Sequence, residues 1–278
     1  MREDAAILGV FSRHEKNIAK QHQSKLKLPF RISDVDIDQN EFGIVHMSSK
    51  GTVVNQLEPH VRIVTLEGDV ADERRLPHDI ATIQTWLNEY VGRPNPELGR
   101  KGPVCPFIPP AMRADAVDYV FRYDVIRDSE EDLFSELLGE FEDFDRTAEP
   151  ASLTRTSLAS RLVVLPNTDA TAWLAIDNIY ESLKDAAVMR GLMVAQFHPN
   201  CEVRAVRNEA FRVAKSPIAA IAIRRMAPHD ILFLRDTAER FHQYEERFDH
   251  HYTHGRIHDP LLIQLYSDTH AKFATTSH

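Results

Sequence analysis

The sequence is poor in cysteine, in long apolar runs and in recognisable catalytic signatures, and each absence removes a class of protein. Two cysteines in 278 residues, Cys105 and Cys201, cannot build a disulfide scaffold, and a reducing, cytoplasmic compartment is the expectation. No apolar stretch approaches the roughly 20 residues a membrane helix needs. The opening MREDAAILGVFSRHEKNIAKQ has acidic residues ahead of a short apolar stretch, unlike a secretory signal. There is no G-x-S-x-G, no P-loop, no G-x-G-x-x-G and no set of zinc-finger cysteines, which removes the commonest hydrolase, NTPase and dinucleotide-enzyme readings. A compensating basic stripe is missing too, so with a net charge of −9 no nucleic-acid partner is expected.

What is present is an ordinary globular composition, 43% hydrophobic and 27% charged. The negative charge is local. Asp128–Glu149 holds ten acidic residues against Arg146, a sum equal to that of the whole chain. Within it Leu133, Leu137, Phe141 and Phe144 recur at helical spacing. Asp128 or Ser129 suits the N-cap, and Glu130, Glu131 and Asp132 suit the first turn. An amphipathic helix with a solvated acidic face is the simplest reading; a cation-binding or basic-partner surface is the alternative.

Short β-type runs at Arg31–Ile37, Gly43–Met47, Thr52–Val54 and Val61–Leu66 follow a candidate helix at Ile7–Gln21, and residues 1–75 read as a β-rich extension or arm. Residues 76–278 read as the main domain. Its candidate helices are Asp79–Val91, with Pro77 just ahead; the acidic segment; Asp169–Arg190, ended by Gly191; Asp230 to about Tyr252; and a last one from Pro260. Candidate strands are Ala116–Ile126, Arg161–Leu165, Leu192–Phe197 and Ile218–Ile223. Strands and helices mix without strict βαβ order, which predicts an α+β fold, a mixed sheet flanked by helices.

Two loops carry chemistry. In LGRKGPVCPFIPP, prolines and glycines hold Cys105 on a stiff path beside Arg100 and Lys101. That thiol reads equally as a metal ligand, a nucleophile or a small buried hydrophobe. In GLMVAQFHPNCEVRAVRNEAFRV, an apolar strand delivers His198 into a turn set by Pro199 and Asn200, and Arg204, Arg207 and Arg212 follow. His198 reads either as a ligand or base, or as a hydrogen-bonded structural residue. In RRMAPHDILFL, His229 and Asp230 sit at a helix start, as caps or, for His229, as an acid or base. Downstream, His242, His250, His251, His254 and His258 include pairs four residues apart that suit a metal on one helix face, although Gly255 breaks the second pair.

GPVCPF together with QFHPNC…RN…FRVAKSP…AIRRMAPHDILFL resembles an uncharacterised bacterial domain family found near natural-product biosynthesis genes. More distantly, a cysteine loop followed by a strand ending in His-Pro-Asn resembles the YqcI/YcgG family of haem-dependent guanidine N-hydroxylases. That resemblance implies non-covalent haem b with His198 as axial ligand, and an oxygenase acting on a small nitrogenous substrate in specialised metabolism. On this reading Arg204, Arg207 and Arg212 hold propionates or a substrate carboxylate, while Cys105 and His229 serve catalysis. A small-molecule substrate and a homodimer are the partners expected, with no membrane. The competing expectations are a non-redox ligand-binding or accessory protein, and a non-haem metalloprotein using the C-terminal histidines.

Overall fold

The computed structural model describes residues 52–58, 60–66, 70–126, 129–147 and 157–274. All of them belong to one compact unit, residues 42–278. The runs anticipated at Ile7–Gln21, Arg31–Ile37 and Gly43–Met47, and the Asp128 cap, lie outside the described residues.

The chain forms β1 (Thr52–Glu58), β2 (Val61–Leu66), α1 (Val70–Trp86, continued by a π-helical turn Leu87–Val91), α2 (Ile108–Arg113), β3 (Val117–Arg122), α3 (Glu130–Thr147), β4 (Ser160–Leu165), α4 (Ala170–Met189) and β5 (Leu192–Phe197). It continues with a β6 (Arg204–Ala205)–β7 (Asn208–Arg212) ribbon, β8 (Ala219–Arg225), a 3-10 turn Pro228–Phe233, α5 (Ala238–Thr253) and α6 (Pro260–Ala274). Six strands make one mixed sheet in the order β1-β2-β3-β4-β8-β5. β2, β3 and β4 run parallel; β1, β8 and β5 pair antiparallel to their neighbours. The α+β architecture is as expected, and the two described N-terminal strands form the edge hairpin of the main sheet.

The strand alternation is read directly in the core. Val163, Leu165, Ile221 and Ile223 face α3 and α4, while Leu162, Val164 and Ala220 face α1 and the Cys105 loop. A third cluster joins α5, α6 and the 3-10 turn through Ile231, Leu234, Phe241, Tyr244 and Phe273.

Three local differences from expectation have physical reasons. Pro77 lies inside α1 rather than ahead of it, on the exposed side, where water can take up the carbonyl that its missing N–H abandons. The expected Asp230–Tyr252 helix is broken. A 3-10 turn precedes α5, and Thr237 caps α5 by accepting from the Arg240 N–H. Third, the acidic helix is not simply solvated. Arg62 bonds Glu140 and Asp143, both at 2.5 Å, and Arg161 reaches Asp143 at 2.8 Å and Glu140 at 3.3 Å. Arg122 pairs with Glu136 at 3.0 Å, Arg225 with Asp145 at 2.6 Å and Arg190 with Glu142 at 3.1 Å. The acidic face is therefore largely neutralised from within, by arginines of β2, β3, β4 and β8 and the end of α4.

Asp143 shows the sign of this arrangement. Burial works against its charge, but the hydrogen bond from Arg146 and the charges of Arg62 and Arg161 prevail and hold its pKa at about 2, below the ordinary 3.8. A depressed carboxylate stabilises the fold above its unfolded pKa and loses that contribution as pH falls through the folded one. Between about pH 4 and pH 2 the protein should lose about 1–2 kcal/mol through this group, less than the full shift because water reaches the pair. Acid-dependent denaturation of wild type against Asp143→Asn measures it. An unchanged acid limb in the variant would contradict the assignment.

Candidate metal centre and a second histidine cluster

His198 follows the last residue of β5, and Pro199–Asn200 turn the chain so that the Cys201 N–H returns to the His198 carbonyl at 3.0 Å. That turn presents the imidazole and the thiol together. Across from them, Trp173 and Asp177 lie one helical turn apart on α4 and face the end of β5. The Trp173 ring stacks against His198 at 6.0 Å. Asp177 Oδ1 lies 3.2 Å from His198 Nε2 and accepts from Gln196 Nε2 at 2.9 Å.

One ligand-type atom from each of Asp177, His198 and Cys201 falls within 4.8 Å of the others, the one such trio among the described residues. His198 is 1% exposed and Cys201 0%, yet His198 Nδ1 and Gln196 Oε1 are buried without a partner. Buried polar atoms are rarely left so, and an orphan beside two other ligand types marks a place for an ion. Burial pushes the Cys201 thiol up, with the Asp177 and Glu202 charges adding to it against hydrogen bonds from the Val203 and His198 backbone. Without an ion the thiol is protonated at neutral pH.

The three arginines stand elsewhere. Arg204 and Arg207 are exposed on the β6–β7 ribbon, where Arg204 donates to the Glu209 carbonyl. Arg212 pairs with Glu202 and with the same carbonyl. None is paired with the His198 group. Haem needs an imidazole nitrogen facing an open slot, and cations at its rim. Here Trp173 stacks on the His198 ring, Asp177 meets its Nε2, and the arginines stand on the ribbon with Arg204 and Arg212 engaged there, so these residues do not fit a haem.

Cys105 and His229 belong to a different place. The Cys105 loop is tied down by Cys105 N–H to the Val91 carbonyl and Val104 N–H to the Arg93 carbonyl, at 2.9 and 3.0 Å. Its Phe107 stacks on His229 at 4.5 Å and carries the Arg224 guanidinium at 4.0 Å. Arg224 is held by both oxygens of fully buried Asp230, at 2.8 and 2.5 Å. Asp230 also accepts from the Ala227 N–H at 2.7 Å, so its role at the turn is capping. This group lies on the α1 face of the sheet and His198 on the α4 face. Arg224 pairs with Met193 and Ala220 with Phe197, which places the two groups roughly 15 Å apart along the strands. The structure brings the Cys105 loop to His229 through Phe107 and sets this group on the sheet face opposite His198.

The C-terminal histidines form no comparable trio among the described residues. α5 ends at Thr253, and His254 turns its Nδ1 to the His250 carbonyl at 2.7 Å; Gly255 follows with φ +62°. His258 lies beyond the helix, so the repeat at four residues does not become one face.

No helix of the described residues is long and apolar enough to cross a membrane. No curated protein and no solved structure matches the chain. A family model described as a domain of unknown function, DUF6875, matches residues 80–259, a span that includes Arg100, Cys105, Asp177, His198, Cys201, Arg224 and His229. The chain belongs to the DUF6875 family of domains of unknown function.

Proposed function

We propose that this protein is a mononuclear, non-haem metalloprotein whose ion is held by Asp177, His198 and Cys201 and engages a small molecule. The observation that carries the reading is the convergence of three different ligand types around a buried imidazole whose hydrogen-bonding capacity the protein does not meet. A thiolate, an imidazole and a carboxylate together suit a borderline-soft ion such as zinc or ferrous iron. Asp177 is 39% exposed at its side chain, so the centre opens on that side, as in sites that keep a position for water or substrate. Trp173, half-buried against His198, walls the approach. The oxygenase of specialised metabolism implied by the motif resemblance is supported here only in its need for a metal at His198, not in its haem.

Elemental analysis of the purified protein, followed by cobalt titration of the apo form, tests the reading. About one ion per chain is expected. The cobalt form should show a thiolate-to-metal absorption band that is absent in Cys201→Ser, and His198→Ala should lose the ion. A chain that takes up no metal, or one that purifies with a Soret band, overturns it.

A further inference from the structure

A second site is built on the opposite face of the sheet, around His229. We propose that Arg100 and His229, with Phe107 as their wall, bind the carboxylate of a small molecule.

Two separate segments hold His229 in place. Phe107 of the Cys105 loop stacks on its ring, and the Pro228 carbonyl just before it accepts a hydrogen bond from the Tyr244 hydroxyl. So fixed, the imidazole keeps its Nε2 buried with no partner. A rigid ring with an unmet nitrogen is preorganised for an outside group.

The charges choose what that group is. Arg224 is matched by Asp230, so that pair adds no net charge. Arg100 is different. Its Nη1 and Nη2 donate to the carbonyls of Lys101 and Val104, at 3.1 and 2.9 Å, and among the described residues no carboxylate is paired with it. A guanidinium has five N–H donors, so several remain to be used. Gly102, at φ +95°, lets the loop fold back over this guanidinium; a side chain there would stand 3.5 Å from Nη1. Burial first, and then the charges of Arg224 and Arg100, lower the His229 pKa against the pull of Asp230, so the ring is neutral at pH 7 and can donate a single N–H. One unmatched cation, anchored on the loop whose Phe107 stacks on His229 and close enough for its charge to weigh on that ring, together with one neutral donor suits a singly charged oxyanion. A metal ion would be repelled by Arg100, and a dianion would be left half-neutralised. Cys105, whose thiol lies within reach of the Arg224 charge, borders the site.

The site stands apart from the metal centre, so either reading can fail alone. Histidine ring-proton NMR of the intact protein tests it, with sodium acetate as the probe, inorganic phosphate as a second anion and sodium chloride at matched ionic strength as the control. The His229 resonance is assigned by its loss in His229→Gln. Saturating acetate should raise the His229 pKa by about one unit, because a bound anion favours the imidazolium. Arg100→Ala and Arg100→Gln, each checked for folding by circular dichroism, should weaken acetate binding at least about tenfold. Identical His229 titrations in acetate and chloride overturn the proposal, and this wild-type result does not depend on any variant folding. Equal acetate affinity in either Arg100 variant overturns it too, and tighter binding of phosphate than of acetate overturns the assignment to a carboxylate.

Discussion

Replacing Arg161 with alanine should cost the protein about 3–5 kcal/mol, the loss expected when one partner of a buried ion cluster is removed. Arg161 is 4% exposed and bonds Asp143, Glu140 and the Thr147 hydroxyl, while its guanidinium also lies 5.6 Å from the Phe144 ring. Without it, Glu140, only 6% exposed at its side chain, keeps Arg62 and Arg122 but loses the cation beneath the helix. Denaturant unfolding measures the cost, and a fall in Tm of about 10 °C should accompany it in a domain of this size. Replacing Arg161 and Glu140 together by Met and Leu should cost less than Arg161→Ala alone, because no charge is then left stranded. A loss below about 1 kcal/mol for Arg161→Ala would mean that water reaches the cluster and the pairs behave as surface ones.

The second large effect is on metal affinity. Burial holds the Cys201 thiol above its ordinary value of 9.0, so across the neutral range an incoming ion must displace its proton. Affinity should then rise about tenfold per pH unit, roughly a hundredfold between pH 6 and pH 8. Competition against a chromophoric chelator at several pH values gives the slope. Cys201→Ser should bind more weakly and lose most of that slope. A pH-independent affinity would remove Cys201 from the ligand set, whatever the metal content.

Much of the scaffold was legible because it rests on local pattern. Leu192–Phe197 is an apolar run interrupted only by Gln196 and forms β5 with those bounds; the stripe Leu133, Leu137, Phe141, Phe144 forms the buried side of α3. The site was legible only in part. His198 at a strand end was visible, and Cys201 was visible three residues on, but Asp177 was not. Its one signal was the four-residue step from Trp173 on a helix read for its apolar face, and only the packing of α4 on β5 brings it to His198. The three arginines were placed near the histidine by sequence distance, yet a two-stranded ribbon turns them outward. Pairing Phe107 with His229 required a contact across more than a hundred residues, which no periodicity encodes.

Strand β8 ends in two adjacent arginines that point to opposite faces, and each meets its own carboxylate. Arg224 finds Asp230 on one side, and Arg225 finds Asp145 of α3 on the other. Side chains in a strand exchange faces when pairing slips by one residue. Such a slip would draw each guanidinium away from its own acid, and because only one of the two can take the other's place, at least one carboxylate would be left without a counter-charge. The pair thus acts as a two-sided latch on register. It penalises the off-by-one pairings that the alanine-rich start of β8, Ala219, Ala220 and Ala222, would otherwise tolerate during folding.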